Sequence, residues 1–86
     1  MIVKKVMVNN ESGLHARPAT NFINFIKKFE CDIHIEKDGE KINARSIIAL
    51  LTMGISKGSE VEISTSGVDE EVAMVEVVDF IEALQD

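Results

Sequence analysis

The chain has 86 residues, 45% of them hydrophobic and 28% charged, with nine Lys and Arg against fifteen Asp and Glu for a net charge of −6. That balance fits one globular domain over residues 1–86 and excludes a disordered chain. No apolar run nears the roughly 18 residues that cross a bilayer, no signal-peptide pattern opens the chain, and the single Cys31 cannot close an internal disulfide, so a reduced, cytoplasmic protein without membrane insertion is expected.

Residues 2–8 are mostly β-branched and end at Asn9-Asn10, which predicts a first strand. From Ala16 the period becomes helical, with Ala19, Phe22, Ile23, Ile26 and Phe29 on one face and Lys27 and Lys28 placed to meet the negative end of the dipole. Cys31, Ile33 and Ile35 alternate with Asp32, His34 and Glu36 as a half-buried strand, on which Cys31 packs as a small apolar group and His34 faces solvent. Asp38-Gly39 is a hairpin signal, and a short return strand follows at 41–43. Ser46 is placed to cap a short helix from Ile47 to Met53, which Gly54 ends. Val61, Ile63 and Thr65 alternate as a last strand. Asp69 is placed to cap a final helix, with Glu70 and Glu71 in its first turn and a buried stripe of Met74, Val77, Val78, Ile81 and Leu84. The order β-α-β-β-α-β-α predicts an α+β fold, a two-layer sandwich with helices on one face of a four-stranded antiparallel sheet. The pattern leaves the strand order open.

Charge is distributed unevenly. Residues 69–86 carry seven acids and no base, whereas residues 1–68 hold nine bases and eight acids, a net of +1. An acidic chain with four Phe and no Trp or Tyr is a poor nucleic-acid binder, yet its front two-thirds leaves room for a local anion site. One Cys and two separated histidines argue against structural zinc.

The chemistry concentrates in residues 12–20, Ser-Gly-Leu-His-Ala-Arg-Pro-Ala-Thr. Pro18 belongs in the first turn of a helix, where its missing N–H costs nothing, and that places His15 at the N-cap. The N–H groups of Ala16 and Arg17 then have no intrahelical acceptor and form the start of an anion site. Arg17 adds a fixed charge and a donor fork suited to phosphoryl oxygens, and Gly13 lets the chain turn tightly into the site. A neutral imidazole facing such donors is a nucleophile for phosphoryl groups, although histidine at this place could also serve only as a helix cap.

Gly13-Leu14-His15-Ala16-Arg17-Pro18-Ala19 resembles the active-site signature of HPr, the histidine phosphocarrier family of the bacterial phosphoenolpyruvate-dependent sugar phosphotransferase system. A second block, Ala44-Arg45-Ser46-Ile47-Ile48 through Gly54-Ile55-Ser56-Lys57-Gly58, resembles the regulatory serine region of Gram-positive-type members. The resemblance implies an open-faced β-sandwich with strand order 1-4-2-3. It implies that His15 accepts a phosphoryl group on Nδ1 from phosphorylated enzyme I and passes it to a histidine of a IIA component of a sugar permease. Arg17 would steady the phosphoryl oxygens, the Ala16 and Arg17 amides would cradle them, and Ser12 would contribute a hydroxyl. The protein would act as a stoichiometric carrier rather than a stand-alone enzyme, with no cofactor or metal of its own. Oligomeric state is left open by the sequence, although a small patch suited to transient docking favours a monomer.

The same resemblance makes Ser46 the target of an ATP-dependent HPr kinase/phosphorylase, although capping alone would also account for a serine there. Ile47, Ile48 and Leu51 cannot all face inward together with Leu50 and Met53, so an apolar patch beside Thr20, Arg17 and Arg45 is expected to dock partners. Two other roles fit the sequence. One is a regulatory HPr-like protein acting through phospho-Ser46 as corepressor of a catabolite-control transcription factor; relatives of that kind lack the active-site histidine, which this chain retains. The other is a nitrogen-branch phosphocarrier, against which the Ser46 block weighs.

Overall fold

A computed structural model describes residues 1–85; Asp86, counted above among the acids, lies outside the described residues. The elements follow the expected order: β1 (Ile2–Met7), α1 (Ala16–Ile26), β2 (Asp32–Lys37), β3 (Glu40–Asn43), α2 (Ile47–Thr52), β4 (Glu60–Ser66) and α3 (Glu70–Glu82). The strands form one antiparallel sheet in the order β1-β4-β2-β3. Asp38 and Gly39 both take positive φ, 52° and 84°, as a two-residue hairpin turn between right-twisted strands requires.

Register decides which side chains meet. Val6 lies opposite Val61, Ile35 opposite Ile63, and Thr65 sits between Ile2 and Ile33. These residues share the face that the helices cover, and Val61, Ile63 and Thr65 of the central β4 are all buried there. The other face carries Lys5, Glu62, Glu36 and Lys41 in one cross-strand row. The sandwich is therefore open on that side.

Helix α1 buries Ala19, Phe22 and Ile26, and Phe29 just beyond it is also buried, while Ile23 is half-buried. Helix α3 buries Met74, Val77 and Ile81 as the period predicts. It also buries Ala73, and Val78 and Leu84 are only half-buried. The two helices are joined by aromatic contacts: Phe25 stacks on Phe80 at 4.8 Å, and Phe22 meets Phe80 at 5.7 Å. Lys28 lies over the Phe25 ring at 4.2 Å and reaches Glu76 at 2.8 Å.

Long-range contacts add to the end of α1 and replace a cap at α3. Lys27 is the C-cap of α1 and Lys28 follows it, at the negative end of the dipole. The Arg45 guanidinium closes that end by donating to the carbonyls of Phe29 (2.6 Å), Cys31 (2.9 Å) and Ile26 (3.4 Å). At α3, Asp69 makes no capping bond. Its carboxylate accepts instead from the backbone N–H of Glu30 (2.8 Å) and Cys31 (2.9 Å), and the neighbouring Glu70 accepts from Gly67 N–H at 3.0 Å. Asp69 therefore secures the α1–β2 loop from across the fold.

Candidate functional site

The segment between β1 and α1 is held against the segment that leads from α2 into β4. Val8 N–H donates to Ser59 O (2.9 Å), Gly58 N–H to Val8 O (2.7 Å) and Leu14 N–H to Ile55 O (3.1 Å). Lys57 pairs with Glu11 at 2.8 Å on the surface. Gly13 has φ +62°, and a Cβ there would collide with the Ile55 carbonyl oxygen and Ser56 Cα. Only glycine fits so close an approach with that backbone. Leu14 is fully buried and anchors the loop from beneath.

This clamp delivers His15 to the N-cap of α1 with an extended backbone, φ −120° and ψ 161°, as a cap requires. Its side chain makes no capping hydrogen bond. The imidazole, half-buried at the helix start, is thus left uncommitted to the helix. Ala16 follows with φ +47°, a left-handed conformation that costs a residue with a Cβ on the order of 1–3 kcal/mol. The first intrahelical bond, Ala19 N–H to His15 O, is correspondingly long at 3.5 Å.

Pro18 lies in the first turn, as the sequence predicts, and is buried. Arg17 is exposed, and among the described residues it pairs with no carboxylate. Ser12 is exposed in the same loop. The start of α1 therefore brings together an uncommitted imidazole, a guanidinium and peptide N–H groups without intrahelical acceptors. Chemically, that set can receive an anionic group at nitrogen and hold its oxygens.

Ser46 caps α2 as expected, its Oγ accepting from Ala49 N–H at 3.3 Å, and it is exposed. Helix α2 packs against α1 and buries Leu50, while Met53 is half-buried at its C-cap. On its outer side Ile48 is 75% exposed, with Leu51 at 39% and Ile47 at 38%. Thr20 is exposed on α1. Arg45, expected on the rim of this patch, is half-buried with its guanidinium engaged on the three carbonyls named above.

Cys31 is buried, and burial first, then its hydrogen bond to Asp69, pushes the thiol up to about 11, so it is no nucleophile near neutral pH. Among the described residues no group of His, Cys, Asp and Glu is arranged to hold a metal. Asn10, which the sequence marks only as the end of the first strand, donates Nδ2 to Gly13 O at 2.9 Å. Asn followed three residues later by Gly is the pattern of a tight turn.

Comparison with known proteins agrees with this geometry. Residues 2–83 match the sequence model of the PTS HPr component phosphorylation site. The chain belongs to the HPr family. It is 34% identical over 86 residues to phosphocarrier protein HPr of Borreliella burgdorferi, covering 100% of both chains. It is 44% identical over 82 residues to the HPr-like protein Crh of Halalkalibacterium halodurans, covering 95% of this chain and 98% of that one.

In structure, it superposes on an HPr of Thermoanaerobacter tengcongensis with a TM-score of 0.93 at 42% identity, over 96% of this chain and 93% of that chain. Crh of Bacillus subtilis matches with a TM-score of 0.76 at 38% identity, over 95% and 94%, and is described as a dimer with a swapped domain. Dimers thus occur among HPr-like relatives, and family membership does not support the expected monomer. No helix among the described residues is long and apolar enough to cross a membrane.

Proposed function

We propose that this HPr-family protein is a cytoplasmic phosphoryl carrier of a sugar phosphotransferase system, with His15 as the acceptor. The observation that carries the reading is the start of α1, where the His15 side chain makes no capping bond and stands beside Arg17, itself without a carboxylate partner. In the forward step His15 Nδ1 attacks the phosphorus carried by enzyme I. The new P–N bond forms as the bond from phosphorus to the donor breaks, and the donor keeps that electron pair. Arg17 and the amides of Ala16 and Arg17 meet the phosphoryl oxygens, with Ser12 at the edge of the site. The second step repeats this geometry with a IIA histidine as nucleophile, so the carrier is regenerated. Thr20, Ile47, Ile48 and Leu51 form the docking surface for both partners.

The test is phosphorus NMR after incubation with enzyme I, magnesium and phosphoenolpyruvate. An acid-labile phosphoramidate signal is expected in the wild type and none in His15→Ala. No signal from the wild type with a competent enzyme I sinks the reading.

A second role is favoured by the likeness to Crh and by the exposed Ser46 at the cap of α2. In that role an HPr kinase/phosphorylase modifies Ser46, and the phosphorylated protein serves a catabolite-control transcription factor. Retention of His15 allows both roles in one chain.

A further inference from the structure

We propose that Asn10 is a positioning residue for His15, a role that rests on the phosphocarrier reading above. The chain turns through Asn10-Glu11-Ser12-Gly13, and Asn10 holds both polar groups of Gly13. Its carbonyl accepts from Gly13 N–H at 3.2 Å, and its side-chain Nδ2 donates to Gly13 O at 2.9 Å. On the far side Gly13 lies against Ile55 and Ser56 with no room for a Cβ, and Leu14 N–H is bonded to Ile55 O. The backbone entering His15 is thus gripped from two sides. Asn10 supplies one of them.

The side chain itself shows what it is for. Asn10 is only 6% exposed, and its Oδ1 is buried and, among the described residues, has no hydrogen-bond donor. Turning the amide over would set oxygen against the Gly13 carbonyl, so the orientation is fixed by the one bond it makes. A buried oxygen left unpaired works against stability, and an apolar residue at position 10 would avoid it. What asparagine achieves there is a fixed Gly13 carbonyl, two residues before the imidazole. Precision matters at this point because Ala16, just past the imidazole, is held at φ +47°, and a loosened loop would let it relax and carry His15 with it.

The experiment compares wild type, Asn10→Ala and Asn10→Ser in single-turnover phosphorylation by phospho-enzyme I across a range of enzyme I concentrations. For Asn10→Ala the maximal rate is expected to fall on the order of tenfold, since small misplacements at a reacting atom are amplified in rate. The half-saturating enzyme I concentration should stay at the wild-type value, and the melting temperature should change little, because the variant removes the unpaired Oδ1 while leaving the Gly13 carbonyl without its donor. Asn10→Ser, whose hydroxyl can still donate to Gly13 O, should recover part of the rate. In NMR spectra of the free proteins the His15 ring and the Ala16 and Arg17 amides should shift in Asn10→Ala, and α3 should not.

A wild-type maximal rate in Asn10→Ala overturns the proposal. So does a loss of rate that comes with a lowered melting temperature and shifts throughout the fold. Should the wild type itself accept no phosphoryl group, the carrier reading fails and the NMR comparison alone decides positioning: unmoved His15 signals overturn it, moved ones uphold it. Should Asn10→Ala fail to fold, Asn10→Leu, which matches the side chain in size and also lacks the donor, is judged by the same comparisons.

Discussion

Asp69 stands immediately before α3, yet its carboxylate accepts the amide hydrogens of Glu30 and Cys31 rather than those of its own helix. The Glu30 amide, followed by the Cys31 thiol and amide, holds its carboxyl below the usual aspartate range, although partial burial works the other way. A carboxyl whose pKa is lower in the folded state stabilises the fold fully above its unfolded value and loses that contribution as pH falls toward its folded value. Glu70 is shifted the same way, mainly by the Gly67 amide, so acid weakens this corner through both residues. Replacing Asp69 with Asn should lower the melting temperature at pH 7 by roughly 5 °C for a domain of this size. The difference from wild type should shrink as pH falls from about 4, the ordinary value of the carboxyl in the unfolded chain, toward the lower folded value. Thermal melts at both pH values check this, and a difference that stays constant with pH would show that the charge plays no part.

At the scale of elements, the least local contacts are those made by Arg45. The residue precedes α2, but its guanidinium ties the end of α1 to the start of β2 through three carbonyls. Hydrogen bonds to a charged donor are each worth more than neutral ones, and Arg45→Ala also leaves carbonyls unmet at a helix end. The variant should lose about 2 kcal/mol, read as a lower urea midpoint with unchanged slope. Arg45→Lys should recover only part, because one ammonium cannot reproduce a planar fork. An unchanged midpoint in Arg45→Ala would mean that these bonds only replace equivalent ones to water. The same residue marks where sequence reading stops. The caps at Ser46 and Gly54, the Asp38-Gly39 turn and the stripes of α1 and α3 were legible because each depends on neighbours within about one turn of helix or one pair of strand positions. Arg45 and Asp69 act on groups 14 to 39 residues away, and residue type alone gave them nearer, ordinary tasks. The site divides the same way. His15, Arg17 and Pro18 announce a helix start, but alanine at 16 gives no hint of a left-handed backbone, a conformation that glycine adopts more readily.

For the molecule as a whole, the proposed acceptor and the proposed regulatory serine stand at the N-terminal ends of different helices, α1 and α2, which pack on one another within the helical layer. A phosphate on Ser46 would sit at a helix start, where the amide of Ala49 already faces the side-chain oxygen, so the fold should tolerate it. It would also place about two negative charges beside the exposed Ile47 and Ile48, on the surface proposed to dock partners. The phosphorylated protein should therefore melt close to the unmodified one, and its maximal rate of phosphoryl acceptance at His15 should be nearly unchanged. The half-saturating concentration of enzyme I should rise on the order of tenfold or more, because a charge mismatch at a docking surface acts on the encounter and the complex. Part of that rise should vanish as ionic strength increases, since the Debye length falls from about 10 Å at 0.1 M salt to about 3 Å at 1 M. Single-turnover rates over a grid of enzyme I and salt concentrations separate the effects. A lowered maximal rate with an unchanged half-saturating concentration would place the action of Ser46 inside the His15 site, and coupling through the α1–α2 contact would then replace docking as the mechanism.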